Sequence, residues 1–118
     1  MAAGFFNHLA DSRRARAVSA GTHPADHVNP IVIDAMRETG IDLSANRPRL
    51  LTDDLARDAV LLVTMGCGEA CPHLPGLARE DWALPDPAGR SIGEVRPIRD
   101  EIHRRVAALL RARGWAKA

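Results

Sequence analysis

Apolar residues recur at helical spacing in three stretches of this 118-residue chain. In MAAGFFNHLA, residues 1–10, Met1, Phe5, Phe6 and Leu9 fall near one face, and Asp11 and Ser12 end the run. In the second stretch Val28, Ile31, Val32, Ala35 and Met36 share a face. There Asn29 suits the cap, Pro30 the first helical position, and Gly40 a left-handed closure. The third stretch carries Val95, Ile98, Ile102, Val106 and Leu109 along one side. Ser91 and Glu94 are spaced as a capping box in front of it. Pro97 is expected in or near the first turn, because deeper in a helix it costs about 3 kcal/mol.

Two stretches read as strands. AVLLVTM, 59–65, is continuously apolar, as a parallel strand buried on both faces is. ARAVSA, 15–20, is short and alternating, compatible with a strand leading into the loop GTHPAD. A short helix is expected at 52–58, and a loop punctuated by Gly and Pro at 66–90. The order helix, strand, helix, strand, helix predicts one α/β domain over 1–118, with a parallel sheet and helices on both faces. Two strands are fewer than a buried parallel sheet normally has, so the core reads as one strand short.

Composition narrows the function classes. The chain is 46% apolar and 26% charged with a net charge of +1, which gives no footprint for nucleic acid and no polybasic patch for membrane. No apolar run reaches the roughly 18 residues of a membrane span. The N-terminus has no signal-peptide pattern, so the expected compartment is the cytoplasm. In that compartment a close cysteine pair is more often catalytic or metal-binding than a structural staple.

Such a pair is present. Cys67 and Cys71, in VTMGCGEACP, are the only cysteines. Three readings stand on the residues alone. They form a redox couple, or a zinc site with His73, which would be one ligand short of four, or they are inert thiols. Asp86 in LPDPAG either initiates a turn or serves as a general acid on a loop that Pro87 stiffens. His23 and His27 flank Pro24, which argues against a helical metal pair and for solvated loop histidines. Arg96, Arg99 and Asp100 read as helix-face ion pairs. No cofactor and no metal is expected.

The pieces MAAGFFNHLA, SAGTHP, VNP, AMRETGIDLS, VTMGCGEACP, DWALPDPAG and VRPIRDEI, in this order, resemble the arsenate reductases built on the low-molecular-weight tyrosine phosphatase fold. The resemblance runs from Met1 to about Arg113 and implies a three-layer sandwich around a parallel sheet. It assigns Asp86 as the general acid. It makes Cys67 and Cys71 the family's second and third cysteines, which relay a disulfide outward to thioredoxin or to a low-molecular-weight thiol. The substrate it implies is arsenate or a phosphate-like oxyanion. Family chains begin with an interior strand and a Cys-x-x-x-x-x-Arg-Ser loop that holds the nucleophile. Nothing precedes Met1 here, so the expectation is an N-terminally incomplete domain, missing its first strand and inactive as written. A low-molecular-weight tyrosine phosphatase is the alternative. Asp-Pro-Ala-Gly and the absence of tyrosine speak against it, since those phosphatases place aromatics there. A non-catalytic truncated remnant is the third reading.

Overall fold

The computed structural model describes residues 1–20, 28–50, 52, 57, 59–65 and 77–117. The elements are α1 (Ala2–Leu9), α2 (Pro30–Arg37), β1 (Leu61–Thr64), β2 (Ala78–Asp81) and α3 (Ile92–Arg113). His23 and His27, and the expected helix at 52–58 apart from Thr52 and Arg57, lie outside the described residues.

The three helices form as their apolar spacing predicts. α3 is the spine, with Val95, Ile98, Ile102, Val106 and Leu110 buried. Leu110 completes this stripe and Leu109 only flanks it, because the next step of four after Val106 lands on 110. α1 buries Phe5 and Phe6 against α3, and the Phe5 ring stacks on His103 at 4.7 Å. α2 buries Val32, Ala35 and Met36. Phe5 meets His103 while Asp11 meets Trp115, so α1 runs parallel to α3. Ala35 meets Arg99 while Glu38 meets Arg96, so α2 runs antiparallel to it.

Local chemistry ends these helices. Asn29 Oδ1 accepts the Ile31 N–H at 2.9 Å at the start of α2. At its end Gly40, with φ 84°, donates to Arg37 O at 3.0 Å, and Ile41 N–H donates to Met36 O at 3.2 Å. These are the paired bonds of a Schellman closure, which glycine permits because φ is positive. The same closure ends α3, with Gly114 at φ 71° and the Trp115 N–H donating to Leu110 O at 2.9 Å.

α3 starts at Ile92, so Pro97 sits in its second turn rather than its first. No N–H is available there for the Gly93 carbonyl. Val95 and Ile98, buried on either side, hold the helix through that gap.

The sheet departs further from expectation. β1 lies inside the apolar run and pairs in parallel with β2, with Leu61 opposite Ala78 and Thr64 opposite Asp81. β2 falls within the stretch expected to be loop. Its sequence, Ala-Arg-Glu-Asp, has little strand propensity, and pairing with β1 overrides it. Residues 15–20 form no strand. The Asn7 side-chain amide takes the place of a ladder there, accepting the Ala17 N–H at 2.8 Å and donating to Ala17 O at 3.0 Å. Val63, Trp82 and Leu84 carry the sheet into the helical core. The class is α/β with a parallel sheet, two-stranded among the described residues. No helix among them is long and apolar enough to cross a membrane.

Candidate active site

In parallel α/β folds the working groups gather beyond the carboxyl ends of the strands. Here those ends are Thr64 and Asp81, which face each other in register. The buried Thr64 hydroxyl donates to Asp81 Oδ1 at 2.8 Å, and the Trp82 N–H donates to Thr64 O at 2.7 Å. Trp82 is itself buried, with Nε1 donating to Glu80 Oε1 at 3.4 Å. The loop that leaves β2 is therefore anchored at its root by a core side chain and two hydrogen bonds to β1.

Asp86 lies on that loop, between the end of β2 and the start of α3, and is exposed. Its Oδ1 accepts the Ala88 N–H at 2.9 Å, an Asx turn. A β-turn follows, closed by the Arg90 N–H donating to Pro87 O at 3.2 Å. Gly89 sits at its third position with φ 73°, a conformation that favours glycine. The Arg90 side chain folds back, and Nε donates to Asp86 O at 2.7 Å. Its Nη1 lies 3.6 Å from Glu94 Oε2. Glu94 in turn accepts from the Ser91 N–H at 3.3 Å and the Ser91 hydroxyl at 3.1 Å, so the acid loop is tied to the first turn of α3. A carboxyl held this way, with one oxygen fixed and the loop braced at both ends, is suited to proton transfer at a fixed point.

The sequence pointed to Asp86 but not to the residues that brace it. Thr64, Asp81 and Trp82 lie within VTMGCGEACP and DWALPDPAG, but nothing in those pieces marks them as braces, and Arg90 lies outside them. Only the buried aromatic at 82, next to three charged residues, hints at an anchor. Cys67, Cys71 and His73 lie outside the described residues. Among those that are described, no group of three or more His, Cys, Asp or Glu residues is placed to hold a metal ion.

Arg96, Arg99 and Asp100 form ion pairs, as expected, and the first two join α3 to α2. Arg96 grips Glu38 with two bonds, Nε at 3.0 Å and Nη2 at 2.7 Å. Arg99, only 11% exposed, donates from Nη1 to Glu38 Oε1 at 2.7 Å and to Ala35 O at 2.9 Å. Hydrogen bonds from Arg96 and then Arg99 hold the Glu38 carboxyl down at about 2.

Comparison with known proteins identifies relatives of the chain. The family model described as low molecular weight phosphotyrosine protein phosphatase matches residues 1–115. An arsenate reductase of Staphylococcus aureus is 38% identical over 98 residues, which is 80% of this chain and 72% of that protein. A provisionally named arsenate reductase of Halobacterium salinarum is 41% identical over 92 residues, covering 78% of this chain and 65% of that protein. Among solved structures, a thioredoxin-dependent arsenate reductase of Corynebacterium glutamicum superposes with a TM-score of 0.78 at 34% identity, over 94% of this chain and 53% of that one. The chain thus spans about two thirds of the Halobacterium protein and about half of the Corynebacterium one.

Proposed function

Since the chain belongs to the low molecular weight phosphotyrosine protein phosphatase family, we propose that it carries the general acid and the disulfide relay of an arsenate reductase. The observation that carries this reading is the braced Asp86 turn at the carboxyl end of the parallel sheet, in a chain that also bears a Cys67–Cys71 pair three residues beyond β1.

The chemistry balances as follows. A cysteine thiolate attacks arsenate, an As–S bond forms, and the departing oxygen takes a proton from Asp86. The Cys67 thiolate attacks the sulfur of that bond. A disulfide forms, the As–S electron pair returns to arsenic, and arsenite leaves with arsenic reduced by two electrons. Cys71 then attacks Cys67, which frees the first thiolate and leaves a Cys67–Cys71 disulfide. A dithiol such as thioredoxin, or two equivalents of a small thiol, reduces it.

The first thiolate is not among these 118 residues, because neither Cys67 nor Cys71 precedes an arginine by six positions. The 118 residues alone are expected to release no arsenite. Joining upstream of Met1 the strand and Cys-x-x-x-x-x-Arg-Ser loop of a relative should restore thioredoxin-coupled release. In that joined protein Cys67→Ser should arrest the cycle at the arsenylated thiolate. Cys71→Ser should arrest it one step later, at a disulfide from Cys67 to the loop. Mass spectrometry of non-reduced peptides distinguishes these species. Hydrolysis of aryl phosphates without arsenate reduction would sink the reading in favour of a phosphatase.

A further inference from the structure

The net charge of +1 conceals two unlike ends. α3 has 22 residues and leads away from the Asp86 loop for about 33 Å, at roughly 1.5 Å per residue. At its far end, segments distant in sequence are stitched together. The Asp11 N–H donates to Trp115 O at 2.8 Å, and the Lys117 N–H to Leu9 O at 3.2 Å. Ala10 and Ala116 form an antiparallel bridge. Arg14 Nη1 donates to Gly114 O at 2.9 Å.

The joined segments, residues 10–17 and 110–117, carry Arg13, Arg14, Arg16, Arg111, Arg113 and Lys117, and Asp11 is the one acid within them. Asp11 is already engaged, with Arg13 at 3.4 Å and Arg14 at 3.7 Å. Arg16 and Arg111 have no ion-pair partner among the described residues. The helix dipole favours cations in the last turn of α3 but does not reach Arg16 or Lys117. The terminal carbonyls are also occupied: Leu110 O by the Trp115 N–H, Gly114 O by Arg14. Within this basic pole opens a cleft of about 330 Å³, lined by Asp11, Arg14, Leu110, Arg111, Gly114 and Ala116.

We propose that this pole docks an acidic segment of a partner protein, with a glutamate side chain entering the cleft between Arg14 and Arg111. Guanidinium forks match a carboxylate in geometry as well as charge. Leu110 and Ala116 give the cleft an apolar side that receives the methylenes of glutamate. A nucleic acid finds less here. Trp115 packs edge-on against Phe6 at 6.1 Å and is covered by Arg113 at 5.5 Å, so its ring is not offered to a base. A membrane finds less too, since residues 110–117 expose no large apolar side chain to insert. The pole lies at the other end of α3 from Asp86, so a docked partner leaves the candidate active site open. The inference does not depend on the reaction assigned there.

The test is a titration of the whole 118-residue chain with a fluorescent polyglutamate peptide, followed by anisotropy. Oligothymidylate of equal length and phosphatidylglycerol vesicles run as parallel arms. The expected result is saturable binding that weakens with salt, and that falls about tenfold or more when both Arg16→Glu and Arg111→Glu are introduced. Both side chains are exposed and make no hydrogen bond or ion pair among the described residues, and retained helical circular dichroism confirms that the variant is folded. Arg37→Glu, on α2, should leave binding unchanged. Absence of binding, binding that survives the double reversal, or tighter binding of oligothymidylate or vesicles would overturn the proposal.

Discussion

The three helices and the two strands are held by different kinds of interaction. Each helix buries a stripe, and α2 and α3 end in closures built from neighbouring residues. β1 is apolar except for Thr64, yet Leu61, Leu62 and Val63 are only partly buried, while Val60 is 67% exposed and Met65 41%. The sheet is therefore pinned at a few points, Val63, Trp82, Leu84 and the Thr64–Asp81 bond, and the helical core is continuous. Rigidity at Asp86 comes from the helical side, through Arg90 and Glu94, as much as from the strand that precedes it.

Truncating one side chain in each half tests this contrast most sharply. Phe5 is 2% exposed and stacked on His103, so Phe5→Ala should cost about 3–5 kcal/mol in urea unfolding. Val63→Ala, at a partly buried position, should cost about 1 kcal/mol. Equal costs would show that the sheet is as integral to the core as the helices are.

Asp86→Asn is expected to change function and leave stability unchanged. Asn keeps the acceptor for the Ala88 N–H, so the Asx turn persists. In the protein joined to a nucleophile loop, the substitution should slow the first step about 10²–10⁴-fold if Asp86 is the acid. Urea midpoints should stay within experimental error. A variant that turns over at the parental rate would remove Asp86 from the mechanism.

Which parts of the molecule were legible in sequence follows the same division. Helix ends were readable because their determinants are local: Asn29 and Pro30, Gly40, and Ser91 with Glu94 all act within a few residues. The buried face of α3 was readable because its period is fixed by backbone geometry. β2 was not readable, since Ala-Arg-Glu-Asp becomes a strand only by pairing with β1. ARAVSA forms no strand for the converse reason. Its alternation is real, but the Asn7 amide satisfies Ala17 where a neighbouring strand was expected. At the candidate site Asp86 carried a motif, while the groups that brace it are recruited from β1, β2 and α3.

Gly114→Ala should separate a local closure from the contacts it supports. At φ 71° a Cβ is strained, though nothing lies within 4 Å to clash with it. The expected cost is about 1 kcal/mol, read as a lower urea midpoint with unchanged slope. A larger cost would mean that the strand-like bridge from Ala116 to Ala10 is lost with the turn. Polyglutamate binding should then weaken in parallel, because the same bridge assembles the basic pole.

The smallest effect expected is in acid, at the junction of α2 and α3. The Glu38 carboxyl is held at about 2, below its ordinary 4.5, by hydrogen bonds from Arg96 and then Arg99. A depressed folded-state pKa stabilises the native form above the unfolded value, and that stabilisation is lost as protons bind. The window therefore runs downward from about 4.5 to about 2. Glu101, also held at about 2, by Arg104 and Arg105, titrates in the same window but within one helix. Glu38→Gln should lower the neutral-pH melting temperature slightly and flatten its fall between these two pH values. Glu101→Gln should flatten it less, because its partners are three and four residues away and that pairing persists wherever α3 remains helical. An acid slope in Glu38→Gln as steep as in the parent would show that the exposed pair contributes nothing to holding α2 on α3, and that the buried stripes alone do so.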